Sequence, residues 1–255
     1  MSAPRFSGER LHEGSARFAL DLARHRAAYE FARPRAGTGW VLDLGSGSGY
    51  GPASLAQANA RVVGLDRVPP DAGSRVGGAL FVRGDSEALP FPRQSFELVI
   101  SFQVIEHLED PTGYLDAVAE VLRPGGEALF TTPNRLMSDG VNPFHVHEYE
   151  ADELAERLRA RFAQVEMRGI AASEAARRSL ADRSRRIRRI MALDPLRLRD
   201  RLPRRLVEAL FAGFAILVRS RATGRTAPQF SWRDFPVGPA DAACLDLLAV
   251  CRAPR

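Results

Sequence analysis

The stretch Val41-Leu-Asp-Leu-Gly-Ser-Gly-Ser-Gly-Tyr-Gly51 constrains this chain more than any other. An apolar run ends in a carboxylate and then meets glycine at every second position. Such a pattern describes a buried parallel strand delivering the chain into a turn where backbone approaches a ligand closely. The glycines at 45, 47 and 49 give the spacing G-x-G-x-G. A dinucleotide fingerprint places its third glycine one residue later, where this chain has Tyr50, so the loop suits a ligand without a pyrophosphate.

Downstream, strand and helix patterns alternate. Arg61–Asp66 reads as a second strand ending in an acid, Leu80–Asp85 as a third, Phe96–Phe102 as a fourth and Glu127–Thr132 as a fifth. Pro52 to Ala60 is expected to be a helix. Asp110-Pro111 begins another that runs to Leu122, where Arg-Pro-Gly-Gly126 is expected to stop it. A loop over 133–148, a helix from about Glu150 to Arg161, a strand over Phe162–Ile170 and a last strand over Leu245–Cys251 complete the reading. This alternation predicts an α/β fold with a doubly wound, mostly parallel sheet and ligands at the carboxyl ends of its strands. Residues 9–33 carry a helical stripe of Phe18, Leu22, His25, Tyr29 and Ala32.

At 255 residues, one large domain is expected: an N-terminal cap over 1–36, a core over 37–170, an insertion over 171–240 and the final strand over 241–255. No apolar run reaches the length of a transmembrane helix, and the first residues lack the apolar centre of a signal peptide. Cys244 and Cys251 read as reduced structural thiols, which fits a cytoplasmic protein. Charge is uneven. Residues 168–225 hold 16 arginines against five acidic residues, while the whole chain carries a net charge of only +5. The basic segment therefore reads as an insertion with its own task.

The glycine loop, the acids after the second and third strands, and Gly84-Asp-Ser-Glu-Ala-Leu-Pro-Phe-Pro92 together resemble class I S-adenosylmethionine-dependent methyltransferases. Gln103-Val-Ile-Glu-His-Leu-Glu-Asp-Pro111 is similar to the corresponding segment in methyltransferases of quinone biosynthesis. Thr-Thr-Pro-Asn-Arg135 and Asn-Pro-Phe-His145 are similar to stretches in methyltransferases of glycan and natural-product pathways. The resemblance implies a Rossmann-like seven-stranded sheet with S-adenosylmethionine as cofactor. It assigns Asp43, Gly45, Ser46 and Gly47 to the methionine end. Asp66, 23 residues after Asp43, takes the ribose hydroxyls. Arg67 lies by the adenine, Asp85 and Ser86 contact its edge, and Phe102 and Gln103 line the sulfonium region. His145 and His147, beyond the fifth strand, are candidate general bases for an acceptor hydroxyl. Glu106, His107, Glu109 and Asp110 also invite a metal reading, but consecutive acids before a helix are more often caps, so no metal is expected.

The implied reaction is methyl transfer to a small-molecule or glycan acceptor, at oxygen. An RNA methyltransferase and a non-catalytic cofactor-binding module are the alternatives. The Asn/Asp-Pro-Pro-aromatic motif of amino-group methyltransferases acting on bases is absent after the fourth strand. Phe211 and Phe214 are the only aromatics between 168 and 225, which argues against base stacking. The basic segment is therefore expected to be a lid. Its apolar run Leu206–Val218, flanked by arginines, leaves peripheral membrane contact as the second option.

Overall fold

The computed structural model describes residues 19–58, 61–68, 70, 78–138, 140, 142, 144–191 and 229–254. A single sheet runs through them in the order β3-β2-β1-β4-β5-β8-β6-β7. Its strands are β1 (Trp40–Leu44), β2 (Arg61–Asp66), β3 (Leu80–Arg83), β4 (Phe96–Phe102), β5 (Leu122–Pro133), β6 (Phe162–Ile170), β7 (Val237–Pro239) and β8 (Asp246–Pro254). The first five pair in parallel; β8 runs antiparallel to β5 and β6, and β7 antiparallel to β6. Eight strands thus stand where seven were expected. The addition is β7, a three-residue edge strand of Val-Gly-Pro too short and too poor in apolar residues to carry a pattern.

Helices α1 (Ala19–Ala32), α2 (Tyr50–Ala56), α3 (Thr112–Val121), α4 (Ala151–Arg159) and α5 (Glu174–Met191) complete the described fold. The strands are apolar on both faces because both are covered. Val41, Val62, Leu98, Ile100, Leu129, Leu248 and Val250 pack towards α1 and α2. Leu42, Val63, Val99, Phe130, Leu247 and Ala249 pack the other way, with Leu115, Val118, Leu154 and Leu158 of α3 and α4. Cys244 and Cys251 are buried free thiols in this second layer.

Several boundaries moved, each for a physical reason. Helix α2 starts at Tyr50, two residues before Pro52, because a proline in a first turn removes only an N–H that has no helical partner. Strand β5 begins at Leu122 and runs through Arg-Pro-Gly-Gly126, since Leu122 already pairs with Phe96 across a register shift. At α3 the cap is split. Pro111 occupies the N-cap, and the Asp110 carboxylate accepts the Thr112 N–H at 3.0 Å. Of the expected N-terminal helix, Ala19–Ala32 is described, and Phe18 lies outside the described residues. So does Leu206–Val218, the apolar run of the basic segment. Among the described residues, no helix is long and apolar enough to cross a membrane.

The turn after β1 needs its glycines. Gly45, Gly47 and Gly49 all have positive φ, at 84°, 56° and 86°. A Cβ on Gly45 would overlap Cγ2 of Val104. Gly45→Ala should therefore cost about 1–3 kcal/mol through left-handed strain plus the clash. In a Val104→Ala background the penalty should shrink towards the strain alone. Denaturant titration of the four variants checks this; equal penalties in both backgrounds would exclude the clash.

Candidate functional site

The carboxyl ends of β1, β2, β4 and β5 share one edge of the sheet, and β8 begins there because it runs the opposite way. Strand β1 ends as the Gly45 and Ser46 N–H groups donate to Leu65 O of β2, at 2.8 and 3.1 Å. The Asp66 carboxylate then clamps the loop, accepting Gly47 N–H at 2.8 Å and Val68 N–H at 2.8 Å. A Cβ at Gly47 would meet little besides Gly45 O at 4.0 Å, so the loop is open on that side.

Two buried polar atoms face this loop without a partner among the described residues: Oδ1 of Asp43 and Oγ of Ser46. Asp43 is 1 % exposed, and its Oδ2 accepts the Tyr29 hydroxyl at 2.8 Å. Burial pushes its carboxyl up to about 7, although the Tyr29 bond favours the ionised form. An orphaned buried carboxyl oxygen beside an open glycine turn suits a ligand that brings a cation, such as an amino-acid ammonium.

Further along the edge, both Asp85 carboxylate oxygens accept from one Arg67 guanidinium nitrogen at 3.1 Å, and Oδ1 also accepts the Glu87 N–H at 3.2 Å. These contacts, the Glu87 N–H foremost, hold its carboxyl below the usual range. Arg67 and Asp85 are thus brought together at the surface, with Ser86 next to them half-buried. Phe102 is buried edge-on against Tyr29 and His25, with ring centroids 5.1 and 6.1 Å away. Gln103 has a positive φ of 58°. Its amide nitrogen donates to Thr131 Oγ1 and Asp246 Oδ1, both at 3.4 Å. Asp246, buried at the start of β8, is also paired with Arg24 Nε at 3.2 Å.

The two histidines expected as bases part company. His145 Nδ1 lies 2.6 Å from Glu148 Oε1, and its Nε2 lies 2.7 Å from the Asn142 amide nitrogen. Asn142 Oδ1 is occupied by Phe144 N–H, so the Asn142 amide nitrogen donates to Nε2 and the imidazole carries its proton on Nδ1. His147 instead turns to Glu153 Oε1 at 2.6 Å, on the capping box of α4, and is more exposed.

Glu106 carried a metal or a capping reading in the sequence, yet it is as tightly enclosed as Asp43. It is 1 % exposed, its Oε2 accepts Thr132 Oγ1 at 3.1 Å, and its Oε1 has no partner among the described residues. Its backbone carbonyl holds the loop by accepting Val146 and His147 N–H at 2.7 and 3.1 Å. Glu106, His107 and His145 each offer one atom to a common point, all within 4.8 Å of one another. That donor set is chemically suited to a divalent cation. Glu109 and Asp110 do not join it; Asp110 caps α3.

A family model for a methyltransferase domain matches residues 42–130. A probable S-adenosylmethionine-dependent methyltransferase of Mycolicibacterium smegmatis is 37 % identical over 173 residues, covering 65 % of this chain and 67 % of that protein. A ubiquinone biosynthesis O-methyltransferase of Cereibacter sphaeroides is 34 % identical over 102 residues, or 37 % of this chain and 41 % of that protein. Among solved structures, one from Thermotoga maritima is described as an S-adenosylmethionine-dependent methyltransferase and possible histamine N-methyltransferase. It superposes with a TM-score of 0.52 at 14 % identity, covering 93 % of this chain and 96 % of that one, a likeness of fold.

Burial raises the Glu106 carboxyl from 4.5 to about 7. The folded state therefore keeps a proton that the unfolded chain releases between those values, and stability falls as pH rises through that window. Relative to wild type, Glu106→Gln should gain roughly 1–3 kcal/mol on going from pH 5 to pH 8. Urea denaturation in chelator at both pH values tests this. A wild-type-minus-variant difference that does not change with pH would show that Glu106 stays ionised.

Proposed function

The chain belongs to the S-adenosylmethionine-dependent methyltransferases, and we propose that it methylates a small-molecule or glycan acceptor at a hydroxyl oxygen. The observation that carries this reading is the His145–Glu148 pair. Glu148 accepts the hydrogen bond from Nδ1–H and fixes the ring, which leaves Nε2 as the nitrogen with a lone pair for an acceptor hydroxyl. Nε2 accepts from Asn142, and an acceptor hydroxyl donating in its place would pass its proton to the imidazole. An amine that arrives unprotonated needs no such group, so the pair favours oxygen chemistry. The similarity to a ubiquinone biosynthesis O-methyltransferase over 102 residues points the same way.

The residues at the loop fit the cofactor. Asp43 and the Ser46 and Gly47 region would receive its methionine end, and Asp66 its ribose hydroxyls, while Asp85 and Ser86 would meet the adenine edge and Arg67 flank it. Phe102 and Gln103 would border the sulfonium. When bound, the cofactor supplies an electrophilic methyl on sulfur; the protein's part is to aim the acceptor oxygen at it and remove the hydroxyl proton. Of the two histidines, His145 is the better base, because His147 is directed to α4. The arginine-rich segment is proposed as a lid over the acceptor. A protein acting in the cytoplasm and independent of nucleic acid is part of the same reading.

Asp66→Ala should weaken S-adenosylhomocysteine binding by about 1–3 kcal/mol in calorimetry, through lost hydroxyl hydrogen bonds and a loosened Gly47 turn. A screen of hydroxylated acceptors with methyl-labelled cofactor should identify a substrate. On that substrate, His145→Ala should lower turnover by about 10²–10⁴-fold with cofactor affinity nearly unchanged. Unaltered turnover at neutral pH would remove His145 from the chemistry. Nanomolar, steeply salt-dependent RNA binding with methyl incorporation would replace the small-molecule reading altogether.

A further inference from the structure

Among the described residues, no cation accompanies the buried Asp43 carboxyl. The titratable groups around it are Tyr29 and His25 from α1, Tyr50 from α2 and Asp66 at the end of β2. None of these supplies a positive charge: Tyr29 donates a neutral hydroxyl, Asp66 is another acid, and burial drives the His25 imidazole down to about 4. His25 Nδ1 is bonded to the Tyr50 hydroxyl. The side chain of Tyr29 is fixed with unusual thoroughness. Phe102, His25 and Tyr50 meet its ring edge-on, with centroids 5.1, 5.3 and 5.8 Å away. On α2, a Cβ at Gly51 would overlap Cζ and the hydroxyl of Tyr29, so the glycine is the notch through which the phenol reaches the carboxyl. The result is asymmetric: Oδ2 is occupied at 2.8 Å and Oδ1 is left without a partner among the described residues.

We propose that Tyr29, seated in the Gly51 notch, is a positioning residue for cofactor capture: it holds Asp43 so that Oδ1 receives the cofactor's ammonium, and binding expels the carboxyl proton. The step is a proton balance alone. The neutral carboxyl loses H⁺ to solvent, the ammonium keeps its own protons, and an ion pair forms where a neutral carboxyl stood before. Burial of Asp43 makes the neutral form the resting one around and below neutrality, and the arriving cation makes the ionised form the bound one. The N-terminal helix thus contributes to recognition of the amino-acid end, in addition to covering the sheet. The inference rests on the cofactor assignment and adds to it a residue outside the glycine loop and a proton.

Two probes separate positioning from shape. S-adenosylhomocysteine carries the amino-acid end; 5′-methylthioadenosine has the adenosine and sulfur without it. Calorimetry on wild type in two buffers of different ionisation enthalpy should show proton release with S-adenosylhomocysteine, larger at pH 6 than at pH 8, and affinity that increases over that range. Methylthioadenosine should bind with neither effect. Tyr29→Phe should weaken S-adenosylhomocysteine by about 10-fold while leaving methylthioadenosine within about twofold, a loss expected for one charge-linked hydrogen bond. Asp43→Asn should abolish the proton release. Gly51→Ala should reproduce the Tyr29→Phe pattern if it folds, and Tyr29→Phe stands alone if it does not. Equal weakening of both ligands would make Tyr29 a packing residue and overturn the proposal, as would S-adenosylhomocysteine binding without proton release. If wild type binds methylthioadenosine but gains nothing from the amino-acid end, the proposal fails while an adenosine site remains. Binding of neither ligand removes the cofactor assignment itself.

Discussion

Three carboxyl groups buried along one edge of the sheet set the terms for everything around them. Asp43 ends β1, Glu106 follows β4, and Asp246 opens β8, each 2 % exposed or less. Removing a carboxylate from water costs several kcal/mol unless it is neutralised or paired. Each acid meets that cost differently. Asp246 has a cation, Arg24, and an amide from Gln103. Asp43 has one phenol, and Glu106 one threonine hydroxyl. Burial raises all three carboxyls, Asp43 and Glu106 to about 7, and these two each keep an oxygen without a partner among the described residues. A fold gains nothing in stability from such groups; well-packed apolar residues would serve it better. Their place at the carboxyl edge, where α/β sheets bind ligands, gives the cost a purpose.

The sequence made the frame of this edge legible because its signals are local. An apolar strand, an acid and alternate glycines lie within eleven residues, and the observed positive φ at Gly45, Gly47 and Gly49 is what that spacing requires. Strands β2, β4 and β6 fall at the bounds read from their apolar runs. Local signals failed where a distant partner decided the outcome. The Arg-Pro-Gly-Gly126 turn reads as a stop, yet pairing of Leu122 with Phe96 draws it into β5. Strand β7 exists because β6 offers it an edge, and no pattern in Val-Gly-Pro announces it.

The partners within the site were hidden for the same reason. Tyr29 reaches Asp43 across 14 positions, Thr132 reaches Glu106 across 26, and Gln103 reaches Asp246 across 143. From the sequence, His145 stood ahead of His147 by its place beyond the fifth strand, but nothing in two histidines two residues apart on one loop showed what either would touch. Packing gave them different partners. The α4 capping box supplies Glu153 to one, while Glu148 and Asn142 take the other. For Glu106, the apolar neighbours Val104, Ile105 and Leu108 were the hints of burial, and capping explained the nearby acids equally well.

Helix α1 connects these observations mechanically. Arg24 neutralises Asp246, Tyr29 holds Asp43, and His25 packs against Phe102 at the end of β4. From its other end, Asp21 accepts Arg183 of α5 at 2.7 and 2.9 Å, with both side chains largely shielded. The first part of the arginine-rich segment is thereby tied to the helix that positions two of the three buried acids. Displacing α1 would break a shielded ion pair at α5 and strand Asp246 without its cation, which costs more than either contact is worth in water. The described part of that segment and the Asp43 carboxyl are therefore joined by packing through α1, which holds Asp21 against Arg183 at one end and Tyr29 against Asp43 at the other.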